Sequence, residues 1–125
     1  MPTPEQVRAA AEAYVTASNA NDKQAVLSRF APDAVWFDPV GQPPHVGADG
    51  IGAFFDQART LADRIEMKLL DVIVCGTEAA LVLEIHATIG KSVMIMDCVE
   101  TIEFDDETKI ARMKAYWDMS RARTR

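Results

Sequence analysis

Cysteine and histidine are scarce: Cys75, Cys98, His45 and His86 are all that the 125 residues contain. The two cysteines lie far apart in apolar, strand-like runs and match no C-x-x-C or zinc pattern, so both read as reduced core thiols. Neither histidine stands at ligand spacing from other donors, which predicts no metal site. Cations are outnumbered, 13 Lys and Arg against 19 Asp and Glu, for a net charge of −6. Phosphate binding needs clustered Lys and Arg, and only the terminal "RARTR" is locally basic; the balance argues against a nucleic-acid partner, and the tail reads as a solvated end. No apolar run approaches the roughly 20 residues that span a bilayer. "MPTPEQVRAA" lacks the charge and apolar core of a signal peptide, so a cytoplasmic location and no membrane partner are expected. No Gly/Ser or Pro-rich linker divides the chain, and its length suits one domain, residues 1–125, around one core.

Local patterns predict helices first and strands afterwards. Thr3 as N-cap, Pro4 at the first helical position and Gln6 two further on make a capping-box pattern, followed by an Ala-rich run to about Asn19. The apolar stripe of that helix is Val7, Ala10, Ala11, Tyr14, Val15 and Ser18. A short helix is expected from an Asp22 cap to near Phe30, before Pro32, and "DAVWFD" reads as a strand. Residues 48 to about 62, "ADGIGAFFDQARTLA", place Ile51, Phe54, Phe55, Ala58 and Leu61 or Ala62 at helical spacing. From Arg64 the pattern changes to alternation, giving strands over about 64–74, 78–89, 92–104 and 109–119, with turns at "CGTE", "IGKS" and "FDDETK". Three helices followed by a meandering antiparallel sheet is an α+β layout, with room for a conical cavity between the layers.

Alternation also sorts the strand faces. Ser92, Met94, Met96, Cys98, Glu100, Ile102 and Phe104 share one side, an apolar face interrupted by a carboxylate. If buried, Glu100 would resist ionisation and stay protonated near neutral pH; if it lies near an open edge, it is solvated or paired with a base. Glu84 and His86 fall opposite Leu81, Leu83, Ile85 and Ala87 and read as surface or subunit-contact residues. Tyr14 points inward, where its hydroxyl needs a partner, but core packing alone accounts for it. "AVWFDPVGQPPHVG" leaves Asp38 with two readings: the first residue of a type I turn over Asp38–Gly41, or a base at the end of an apolar strand.

Three segments, "TPEQVRAAAEAYVTASNANDKQAV", "FAPDAVWFDPVGQPPHVG" and "VETIEFDDETKIARMKAYW", resemble the bacterial Δ5-3-ketosteroid isomerases of the NTF2-like (SnoaL-like) superfamily. The resemblance covers almost the whole chain and is carried most specifically by "DPVGQPP" with the late "MKAYW". It implies an α+β cone in which three N-terminal helices pack on a curved, mainly antiparallel sheet around an apolar pocket. It also implies that Asp38 is the general base and Tyr14 a hydrogen-bond donor to the substrate carbonyl. Glu100 takes the position of the family's second, protonated acid, an aspartic acid four residues before the Phe that ends the strand. The extra methylene moves the carboxyl by roughly 1.5 Å unless the side chain folds back. Phe55 stands where many relatives carry a supporting tyrosine, and Phe30 lacks a hydroxyl found in some. The same alignment assigns Ser18, Val40, Phe54, Leu83, Met96, Cys98, Met113 and Trp117 to the substrate pocket, mostly apolar as a sterol skeleton requires.

The activity implied is a steroid Δ-isomerase that moves a proton from C4 to C6 of a Δ5-3-ketosteroid through a dienolate. It needs no metal or redox cofactor, because no nucleophile attacks carbon and no electron is transferred. A small-molecule steroid and a second copy of the chain are the implied partners. Other readings are a SnoaL-like polyketide cyclase, another NTF2-like enzyme such as an epoxide hydrolase, and a non-catalytic module that binds an apolar ligand. The polar groups an epoxide hydrolase would need are not found together in the sequence.

Overall fold

In the computed structural model, which describes residues 1–125, the first helix, α1, spans Pro4–Asn19. The Thr3 hydroxyl accepts from the Gln6 amide while the Gln6 side chain accepts from the Thr3 amide, the reciprocal capping box its residues predict. All six residues of its expected stripe are buried. Helix α2, Lys23–Leu27, is capped by the Asp22 carboxylate. It stops short of Phe30, which instead opens strand β1, Phe30–Phe37. Phe30 is drawn out of the helix by pairing and packing: the Arg29 carbonyl accepts from Ile110 at 2.8 Å, and the Phe30 ring stacks on Trp36. A two-residue strand β2, His45–Val46, leads into α3, Gly47–Arg59. This helix ends before the expected residue 62, and Leu61 lies outside the core at 71% exposure.

Four long strands follow: β3 Arg64–Cys75, β4 Glu78–Ile89, β5 Ser92–Phe104 and β6 Ile110–Trp117. A 3-10 turn at Met119–Arg121 and a short strand β7, Arg123–Thr124, complete the chain. The seven-stranded sheet runs β2-β1-β6-β5-β4-β3, with β7 added to β5. All pairings are antiparallel except β1 with β6, which is parallel. The β4–β5 hairpin keeps one register, Glu84 facing Asp97 and Leu81 facing Glu100. A bulge between Leu69 and Asp71 of β3 leaves Leu70 exposed and bends the strand. Asn19 at the end of α1 holds that free edge as a strand would, its amide accepting from Met67 N–H at 2.8 Å and donating to Met67 O at 2.9 Å. The core lies between the helices and the concave sheet face, joining Val7, Ala11, Ile51, Leu81, Ile102 and Ile110. This is the expected α+β cone, with the sheet left open. No helix is long and apolar enough to cross a membrane.

Three expectations are overturned. His86 is buried, with Nε2 3.0 Å from Glu84 Oε1. The second correction concerns the tail: "RARTR" is not a free end. Strand β6 leaves the edge of β5 at Trp117, and residues 123–124 pair there with Met94 and Ile95. Arg123 then bonds both Glu84 and Asp97 at 3.2 Å. Of the cysteines, Cys98 is buried but Cys75, at the hairpin end of β3, is exposed, and both are free thiols.

Candidate active site

Strand β1 alternates Ala34 and Trp36 into the core, so the next inward position is Asp38, one residue past the strand's end. Two bonds from β6 hold that point. Val40 N–H donates to the Ala115 carbonyl at 3.0 Å, and Trp117 Nε1–H donates to Asp38 Oδ1 at 2.7 Å. The turn falls one residue later than expected: Gln42 N–H bonds the Pro39 carbonyl at 3.2 Å, and Gly41, third in the turn, has φ +100°. A positive φ at that place is the type II requirement, which glycine meets without strain. Burial raises the Asp38 pKa, while the Trp117 bond and the nearby His45 charge oppose the rise.

Tyr14 is delivered from the inward face of α1 and is 1% exposed. Its ring meets Phe30 and Trp36 edge-on, with centroids 6.1 and 6.4 Å apart, which fixes the direction of the hydroxyl. Glu100, 2% exposed, sits in mid-β5 between Leu81 and Ala115. Its Oε1 has no hydrogen-bond partner. Burial, reinforced by the negative charge of Asp38 and opposed by hydrogen bonding from Tyr14, pushes the Glu100 carboxyl up to about 8. The group is therefore a neutral acid near pH 7 and can donate a proton to a hydrogen bond. Burial, with Glu100 and Asp38 nearby, likewise pushes Tyr14 well above the ordinary tyrosine range. The Cys98 thiol is also raised, chiefly by burial, and stays protonated.

These three groups line one inner cavity of about 170 Å³. Ser18, Phe54, Met96, Cys98 and Trp117 line it with them. It adjoins an apolar vestibule of about 310 Å³ that shares Asp38, Phe54, Met96 and Trp117 and extends past Leu61, Ile89 and Met94. Three of the residues assigned to the pocket lie elsewhere. Met113 and Leu83 are buried in the core, and Val40 is 45% exposed beside a groove on the outer sheet face. Sequence reasoning missed Trp36 and Arg59, which also line the cavity. Period two places Trp36 beside Asp38, and Arg59 lies four residues after Phe55 and eight after Ile51, on the inward stripe of α3. A basic side chain on an apolar stripe was the available signal.

The family follows from a match over most of the length: residues 11–113 fit a SnoaL-like domain. The chain belongs to the SnoaL-like family. This SnoaL-like protein is 26% identical to a steroid Delta-isomerase of Nocardioides simplex over 112 residues, which covers 90% of this chain and 89% of that relative. Among solved structures it is similar to SalBIII, described as an epoxide hydrolase/cyclase-like enzyme in pyran ring formation in the polyether salinomycin. The TM-score there is 0.89 at 20% identity, over 98% of each chain. It is also similar to RV0760c from Mycobacterium tuberculosis, with a TM-score of 0.88 at 22% identity over 100% of each chain. At these identities the two structures establish the shared NTF2-like fold, and the SnoaL-like cavity is where members of that fold can differ in chemistry.

Proposed function

We propose that this SnoaL-like protein is a cofactor-independent steroid Δ-isomerase that converts Δ5-3-ketosteroids to Δ4-3-ketosteroids. The observation that carries this reading is the meeting of Asp38, Tyr14 and a neutral Glu100 in one apolar cavity. The likeness to the Nocardioides simplex isomerase supports the substrate class.

The chemistry needs a base that is weakly solvated and two donors aimed at one oxygen. Asp38, as carboxylate, takes the C4 proton of the β,γ-unsaturated ketone; the C–H electron pair moves into the dienolate and charge collects on the C3 oxygen. The protonated Asp38 then returns the same proton to C6, the double bond moves into conjugation, and the carboxylate is regenerated. A raised Asp38 pKa makes the carboxylate a better base, while the Trp117 bond keeps it charged and limits its travel. Tyr14 and Glu100 donate to the developing oxyanion, and in a water-poor site each such donor is worth about 10² to 10³ in rate. Asn at position 38 keeps the shape and the bond from Trp117 but cannot accept the proton. Growth of conjugated-enone absorbance from a Δ5-3-ketosteroid is expected for the native chain and is lost in Asp38→Asn with unchanged circular dichroism. Turnover that persists in the variant overturns the base assignment.

The reading extends to a homodimer formed through the outer sheet face. Leu70, Val99, Tyr116 and Val40 are large apolar residues left exposed around a groove of about 570 Å³ there. An apolar surface of this kind is costly to leave in water.

A further inference from the structure

Two acids and a tyrosine account for the isomerisation, yet the cavity also holds a cation that this chemistry does not use. Arg59 is the one basic side chain on the walls of the inner chamber and vestibule. Its guanidinium lies 3.9 Å over the centre of the Phe55 ring. Nε donates to Asn21 Oδ1 at 3.0 Å, and Nη2 donates to the Ser18 carbonyl at 3.1 Å and its hydroxyl at 3.2 Å. All three acceptors are neutral. Five of the thirteen Lys and Arg reach a carboxylate and are mostly exposed; Arg59 is among those that form no salt bridge, and it is half-buried.

A purely structural role explains part of this. Nε and Nη2 tie the end of α3 to Ser18 in the last turn of α1 and to Asn21 just beyond it, and three neutral acceptors suffice for that. Nη1 makes no hydrogen bond within the protein, and no carboxylate lies within salt-bridge distance of the guanidinium, although Asp63 lines a polar pocket on its outer side. Burial works against the charged form, and a guanidinium so placed gains most from an anionic oxygen, which its planar fork can bind through two parallel charge-assisted hydrogen bonds. A neutral sterol supplies no such group.

We propose that Arg59 is a specificity-determining residue: it selects ligands that carry a carboxylate on an apolar, carbonyl-containing skeleton over their neutral counterparts. The inference rests on the proposed use of this cavity, in which the ligand's carbonyl or enolate oxygen lies at Tyr14 and Glu100. It narrows the substrate class from plain sterol ketones to polycyclic keto acids.

The test uses the full-length protein with 2-naphthol, a phenolic mimic of the dienolate, and a set of hydroxynaphthoic acids bearing the carboxylate at different distances from the hydroxyl. Binding is titrated by fluorescence at neutral pH and low salt. At least one acid is expected to bind about tenfold more tightly than 2-naphthol, despite the net negative charge of the chain. That preference falls to about onefold in Arg59→Met, survives in reduced form in Arg59→Lys, and shrinks as salt is added to the native protein. If Arg59→Met fails to fold, the Lys variant and the salt series still read the charge and the fork. An acid preference absent in the native protein, or unchanged in Arg59→Met, overturns the role of Arg59. If 2-naphthol binds and is weakened by Tyr14→Phe while no acid binds better, only this inference falls. If no probe binds, the cavity reading falls with it.

Discussion

Trp117 Nε1 donates to Asp38 Oδ1 across 2.7 Å, joining the end of β6 to the end of β1, its parallel neighbour. The bond holds one carboxylate oxygen and leaves the other without a protein donor. It also favours the charged form in a place where burial disfavours it.

Trp117→Phe keeps most of the wall and removes the donor. The Asp38 pKa is then expected to rise further, because a hydrogen bond to the ionised form is lost. The acid limb of the pH profile of kcat/KM moves to higher pH, while the alkaline limb, where Glu100 loses its proton near pH 8, stays where it is. An unmoved acid limb shows that Trp117 only packs.

Glu100 makes the fold itself pH-sensitive. The unfolded group titrates near 4.5 and the folded one near 8. Below 4.5 both states hold the proton, so nothing is lost. Between these values the folded chain keeps a proton that the unfolded chain has released. Stability falls as pH rises through that window, by up to about 1.4 kcal/mol per pH unit. Glu100→Gln is neutral throughout, so its urea midpoint at pH 8 is expected to exceed that of the native chain, with the gap closing toward pH 4.5. Parallel stability curves for the two proteins would place Glu100 in contact with water.

Tyr14→Phe removes one oxyanion donor and no packing. A loss of about 10² to 10³ in kcat is expected, with KM little changed, since the bond strengthens as charge develops on the oxygen. Steady-state kinetics beside an unchanged circular dichroism spectrum separates this from a folding defect.

The outer sheet face predicts an assembly. Val99→Lys introduces a charge among Tyr116, Leu70 and Val82 at the groove, and sedimentation is expected to change from dimer to monomer. A native chain that sediments as a monomer removes the homodimer from the proposal.

How much of this was legible depended on how local the cause is. The capping box of α1 and its inward face were readable because their partners lie three or four residues away. The four long strands were readable because alternation persists along them. Phe30 was misassigned because its strand pairing is with Ile110, far along the chain. His86 was misread because its partner Glu84 is also reached by Arg123, from the last few residues folding back onto β5. The turn after Asp38 moved by one residue, closing from Gln42 N–H to the Pro39 carbonyl, while Val40 N–H is tied to Ala115 of β6, a partner that only the sheet supplies.

The candidate site divides along the same line. Residue types and faces made Asp38, Tyr14 and Glu100 candidates with a structural reading beside each, and only the likeness to the ketosteroid isomerases singled the three out as a site. The exclusion of water that turns Glu100 into a neutral acid is different, because it depends on what packs over β5 rather than on β5 itself. So does the meeting of Arg59 with Ser18 and the cavity wall, which requires α3 to cross the end of α1. Chemical identity and local periodicity belong to the chain as written; solvent access and the field around each ionisable group arise only when distant segments close over one another.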